Sequence, residues 1–196
     1  MPAALMDNAL DQLFRKARSQ NGWKSERLPD SIYHSIYELM KFGPTSANCC
    51  PARFVWVTSI EAKRKLAALA RGTNTKKILA APCTVIIGYD LEFPKRLPQL
   101  FPHAPEIQEH FRDPGVVETT AFRNSSLQGA YLMIAARALG LDCGPMSGFD
   151  NLGVDRVFFA ATSIKSNFLC SLGYGAEQDL FPRHPRLTFD EAGAFA

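Results

Sequence analysis

Gly43-Pro44-Thr45-Ser46-Ala47-Asn48 is where this chain changes from one kind of structure to another. Upstream, Ile32, Ile36, Leu39 and Met40 recur at helical spacing, and Gly43-Pro44 stops that helix. Downstream, Arg53-Phe54-Val55-Trp56-Val57-Thr58 carries the branched and aromatic residues that strands favour. Between the two, Thr45, Ser46 and Asn48 gather short polar donors and acceptors before the strand. Helix, polar loop and strand in succession point to an α+β chain. The loop itself suits the polar edge of a planar ligand.

Working outward, the same alternation continues. Residues 5–18 predict a first helix, with an apolar stripe through Leu5, Ala9, Leu10, Leu13, Phe14 and Ala17. Helices are also expected over 61–70, 75–79 and from 151 to 159, and a strand over 84–89, whose continuous apolar run suits a buried central position. Residues 118–139 predict the strongest helix, apolar around most of its circumference and ended by Gly140. Residues 168–174 predict a last strand. Residues 92–114 differ: Pro94, Pro98, Pro102, Pro105 and Pro114 punctuate Phe93, Leu97, Phe101 and Phe111. Proline at that density breaks regular elements, yet the aromatics need cover. This stretch reads either as a lid-like excursion with one short helix, packed on the core or a partner subunit, or as surface decoration. No repeat or second lobe is evident, so residues 1–196 read as one domain.

Composition bounds the function classes. Hydrophobic residues at 46% and charged residues at 21% describe an ordered globular chain. A net charge of +3, with no aromatic-interleaved basic stripe, argues against nucleic acid. No stretch approaches the roughly 20 apolar residues of a membrane span, and the N-terminus has acidic Asp7 and Asp11 instead of a signal-peptide core. Cys49, Cys50, Cys83, Cys143 and Cys170 have no metal-ligand spacing, and four sit among apolar or small residues. A cytoplasmic protein without a metal is expected. There is no GxGxxG or GxxxxGK[ST] phosphate motif and no Gly-x-Ser-x-Gly elbow.

Five segments together resemble the flavin-dependent nitroreductase family over nearly the whole chain: Arg18-Ser19-Gln20-Asn21, Pro44-Thr45-Ser46-Ala47-Asn48, Asn74 with Lys77, Gly144-Pro145-Met146-Ser147-Gly148, and Arg183-His184-Pro185-Arg186. That resemblance implies a nitroreductase-like α+β fold, with a mostly antiparallel sheet surrounded by helices. It also implies an intertwined homodimer with two interfacial sites for non-covalent FMN, reduced by NADH or NADPH. Arg18, Ser19, Asn21, Arg183 and Arg186 are then the candidates for the FMN phosphate. Pro44, Thr45, Ser46 and Asn48 would run along the flavin, and Asn74 and Lys77 would meet its pyrimidine side. Pro145, Met146, Ser147 and Gly148 would cross its face, with the Ser147 main-chain N–H beside N5. Asn21, Ser147 and His184 stand where the family often has a basic residue, glutamate and lysine.

The flavin carries the hydride in such enzymes, so no side chain is singled out as catalytic. Within the family the nearest likeness is to the branch reducing malonic semialdehyde to 3-hydroxypropionate in pyrimidine catabolism. Asn21-Gly22-Trp23 and Ala121-Phe122-Arg123-Asn124-Ser125-Ser126 join the loop and Gly144 motifs in that likeness. Arg123 or a base in the excursion is the candidate for the substrate carboxylate. A broad nitroaromatic or quinone reductase is the alternative, and a non-enzymatic flavin carrier a weaker one.

Overall fold

The computed structural model describes residues 3–196, apart from the side chain of Gln178. In chain order the helices are α1 Asp7–Leu10, α2 Asp30–Met40, α3 Ile60–Ala67, α4 Asn74–Ala80, α5 Leu97–Leu100, α6 Pro114–Ala138, α7 Asn151–Phe158 and α8 Phe189–Ala192. The strands are β1 Ala52–Val57, β2 Cys83–Asp90, β3 Asp142–Met146 and β4 Ile164–Gly173. All four pair antiparallel in the order β1-β2-β4-β3, which leaves β1 and β3 at opposite edges. The α+β class and antiparallel sheet expected from the sequence are what the chain adopts.

Strand periodicity builds two apolar layers. Cys83, Val85 and Ile87 of β2, with Cys170 and Leu172 of β4, face Ile36 and Met40 of α2 and Leu132 and Ala136 of α6. Ile86 and Leu169 point the other way, toward Leu66 of α3, Ile78 of α4 and Val154 of α7. Successive side chains of a strand alternate faces, so one sheet supports helices on both sides. Helix α6 begins at Asp113, whose carboxylate accepts from the Gly115 and Val116 amides, and stops before Gly140 at φ 82°.

Two local expectations change, and one strand is new. The first helix is short and passes into a π-helical turn at Asp11–Arg15. Residues 93–111 hold three short helical turns instead of one: Phe93–Arg96, α5 and Pro105–Phe111. Phe93 and Leu97 anchor them, packing with Cys49, Tyr89, Val117 and Ala121 in a third apolar cluster. Finally, the glycine- and proline-bearing run that begins Asp142-Cys143-Gly144-Pro145-Met146 is a strand, with Pro145 on the sheet edge opposite Cys170. An edge strand tolerates the missing proline N–H.

Candidate active site

Around β3 the chain assembles a basic cavity. Ser19 forms a parallel bridge with Cys143, and the Gln20 amide donates to the Cys143 carbonyl at 2.9 Å. This lays residues 19–20 along the open edge of β3. The returning tail then brings Phe181 to Arg186 against the same strip. Arg18 donates to the Phe181 carbonyl, while Arg183 Nη2 donates to the Arg15 and Ala17 carbonyls at 2.8 and 3.0 Å. A cavity of about 460 Å³ results, lined by Arg18, Ser19, Asn21, Arg137, Arg183, His184 and Arg186 among others.

No aspartate or glutamate lines it. Four guanidiniums without a carboxylate are a donor set for a multiply charged anion, since each planar fork can bind two oxygens. The chemistry of these residues therefore fits the phosphate of FMN. Arg137 was not among the residues singled out in the sequence. Its signal is its position, a lone cation in the apolar run 130–141, where its Nη1 donates to the Leu13 carbonyl at 3.1 Å.

A second group lies where the chain leaves β3. Asn74 Nδ2 donates to the Gly148 carbonyl at 3.1 Å, and the Arg71 amide donates to the same oxygen at 2.9 Å. A Cβ at Gly148 would sit 2.8 Å from Asn74 Nδ2, so any larger residue there would have to displace that amide. Lys77 follows Asn74 by three positions on α4, on the same helical face, and is half-buried. Of the flanking residues, Pro145 and Ser147 are exposed and Met146 is buried.

The Pro44–Asn48 loop stands apart from both groups. It leads into β1, the edge opposite β3. Pro44, Ser46 and Asn48 are exposed, and Thr45 is half-buried. Ala47 and Asn48 both take φ of 48°, and Cys50 takes 38°. Such left-handed backbone costs about 1–3 kcal/mol per non-glycine residue, so neighbours must hold it. The Thr45 hydroxyl accepts from the Cys50 amide at 3.1 Å, and Asn48 Nδ2 donates to the Leu100 carbonyl at 2.8 Å. From α6, Asn124 Oδ1 accepts from the Ser46 amide at 2.8 Å, and Gln128 Oε1 accepts from the Ala52 amide at 2.9 Å.

Two of the buried thiols are poor nucleophiles. Burial pushes the Cys49 thiol up to about 11 and that of Cys83 up to about 12, so both stay protonated near neutrality. Among the described residues no group of three or more His, Cys, Asp or Glu is placed to hold a metal. Arg123 lies elsewhere, beside Tyr89, Glu118, Phe122 and Leu127 in a cavity of about 790 Å³.

Comparison with known proteins identifies the family. The Nitroreductase family model matches residues 14–174. A Caulobacter vibrioides protein provisionally named NADH dehydrogenase/NAD(P)H nitroreductase is 63% identical over 190 residues, covering 97% of each chain. A protein of the same provisional name from Stenotrophomonas maltophilia strain R551-3 is 59% identical over 198 residues, covering 100% of both. Among solved structures, a provisionally assigned nitroreductase from Exiguobacterium sibiricum, in complex with FMN, superposes with a TM-score of 0.87. It covers 100% of both chains at 20% identity, a likeness of fold.

Proposed function

The chain belongs to the nitroreductase family, and from that premise we propose that it uses FMN to pass electrons from NADH or NADPH to nitroaromatic or quinone acceptors. It is an NAD(P)H-dependent flavin oxidoreductase. The carboxylate-free cavity with Arg18, Arg137, Arg183 and Arg186 is the observation that carries the cofactor reading. Those arginines, with Ser19 and Asn21, would hold the FMN phosphate. Asn74 and Lys77 would lie at the pyrimidine side, where the Lys77 ammonium offsets negative charge on the reduced ring. Pro145, Met146, Ser147 and Gly148 would border its face, with the Ser147 main-chain N–H turned to the ring nitrogen. Pro44, Thr45, Ser46 and Asn48 would supply the remaining contacts from the second subunit of a homodimer. When bound, FMN supplies the hydride relay between nicotinamide and acceptor.

In this reading residues 1–196 act as a single cytoplasmic domain, with 92–114 covering the core beside the Pro44 loop. Among the described residues no helix is long and apolar enough to cross a membrane. The provisional nitroreductase names of the relatives favour the broad acceptor range. Malonic semialdehyde is the second reading, supported by the four motif runs that carry the likeness to that branch.

One experiment decides between them. The bound chromophore is identified after denaturation, then the protein is reduced anaerobically with NADH or NADPH. It is mixed separately with a nitroaromatic, a quinone and malonic semialdehyde. Fast, saturable reoxidation by the first two is expected. Reoxidation by the semialdehyde alone, with stoichiometric 3-hydroxypropionate, would overturn the broad reading. A protein that binds no flavin, even when supplied with it, would overturn both.

A further inference from the structure

Two buried amides on α6 have a role that the flavin contacts do not include. Asn124 and Gln128 are 2% and 6% exposed, on a helix face otherwise packed against the sheet. Buried amides in such a place lower stability unless they are paired, and here each oxygen takes a main-chain N–H, one from the loop before β1 and one from the first residue of β1. Asn124 holds Ser46, and Gln128 holds Ala52. One helical turn of α6 thus fixes both ends of the segment that contains the left-handed Ala47, Asn48 and Cys50. Asn124 also donates through Nδ2 to the Thr120 carbonyl at 2.9 Å, which locks its oxygen toward the loop.

We propose that Asn124 and Gln128 are positioning residues that pre-form the Pro44–Asn48 surface for the flavin. This rests on the reading that the loop contacts FMN. Neither side chain touches the ligand; both act through the loop backbone, and the strained dihedrals are the element they hold. Without the two acceptors the segment relaxes toward ordinary dihedrals, and the flavin must reorder it on binding. That ordering cost appears as lost affinity.

Amide hydrogen exchange at Ser46 and Ala52 is measured on the protein with and without added FMN, together with FMN affinity and the flavin-band circular dichroism. Asn124→Leu and Gln128→Met keep shape and remove the acceptor; Asn124→Asp and Gln128→Glu keep an acceptor oxygen. We expect exchange at the matching amide to rise about tenfold or more in the apolar variants, with FMN binding weakened about tenfold. The flavin dichroism should also change. The Glu variant should restore protection at Ala52, and with it affinity. Should Asn124→Leu fail to fold, the Gln128 pair carries the test. Unprotected Ser46 and Ala52 amides in the wild-type protein, or loosened amides with unchanged FMN affinity and dichroism, would overturn the proposal. Failure of the wild-type protein to bind FMN would overturn the flavin assignment instead. It is distinguishable because the exchange pattern is read without flavin.

Discussion

At the scale of single residues, the arginines of the basic cavity and Asp90 make opposite uses of charge. Arg186 spends its Nη1 on the His184 and Pro185 carbonyls at 3.0 Å, which orients the guanidinium and leaves other N–H groups for a ligand. Replacing it with alanine should weaken FMN by about 1.5–3 kcal/mol, roughly 10- to 150-fold, the range for a hydrogen bond to a charged group. Riboflavin lacks the phosphate, so its binding should change little. Titration calorimetry with both ligands checks this, and equal losses would remove Arg186 from the phosphate. Asp90 is structural. Burial works against its charge, but the Ser163 hydroxyl at 2.6 Å, the Glu92 amide at 2.9 Å and Arg53 at 2.7 Å prevail and lower its pKa. A carboxyl depressed on folding contributes stability above its unfolded pKa, near 4, and loses it as pH falls through the folded value. Asp90→Asn should therefore cost about 1–3 kcal/mol at pH 7 and flatten the acid limb of the stability profile. Urea melts from pH 7 down to pH 2 read both effects. Arg18, Arg183 and Arg186 were legible in sequence only together, through family likeness, since a basic tail alone is ordinary, and Arg137 was not legible because it sits inside an apolar helical run. Asn124 and Gln128 were not legible as loop holders, because their partners are main-chain amides 78 and 76 positions away.

Among elements, α6 and β4 meet closely at Gly129. A Cβ on Gly129 would lie 2.7 Å from Phe168 Cε1 and closer still to its Cζ. The aromatic ring occupies the space where a side chain would be, so any side chain at 129 would have to displace it. Although alanine is the better helix former, Gly129→Ala should destabilise the fold by about 1–3 kcal/mol through overpacking. A denaturant midpoint shifted downward with an unchanged slope is the expected signature. A stabilised variant would mean that Phe168 swings aside freely. The same comparison explains which elements sequence reading can find. The second half of α6, strand β2 and the second half of β4 announce themselves through apolar runs, whereas the start of β4, Ile164-Lys165-Ser166-Asn167, carries no such run and lies outside the predicted strand. Strand β3 does not announce itself: Asp142-Cys143-Gly144-Pro145-Met146 has no branched residue and carries two breakers. It becomes a strand because β4 offers a ladder from Leu169 to Gly173, a tertiary cause that no local propensity contains.

For the whole molecule, the two halves of the proposed site lie at opposite edges of one sheet. The Pro44–Asn48 loop feeds β1, while Ser19 and Gly148 border β3. A flavin that contacts both needs a second chain. The surface supports one: Tyr37, Leu39 and Phe42 around α2, Phe122, Leu127 and Tyr131 on α6, and Phe181, Leu187, Phe189 and Phe195 in the tail are all exposed. A second copy of the chain would give these apolar side chains the cover they lack. Sedimentation of the FMN-loaded protein should therefore give about twice the 21.7 kDa chain mass. Mass alone leaves the site's composition open, and subunit mixing addresses it. Arg186→Ala weakens the phosphate contacts, and Ser46→Trp blocks the loop; each homodimer should bind much less FMN than the wild type at a concentration just sufficient to fill the wild type. In a mixed dimer, one site joins the intact arginine of one subunit to the intact loop of the other, while the second site combines both defects. One FMN per mixed dimer should return, with activity to match. If each site were built within one chain, every site in the mixture would keep one defect and no binding would reappear.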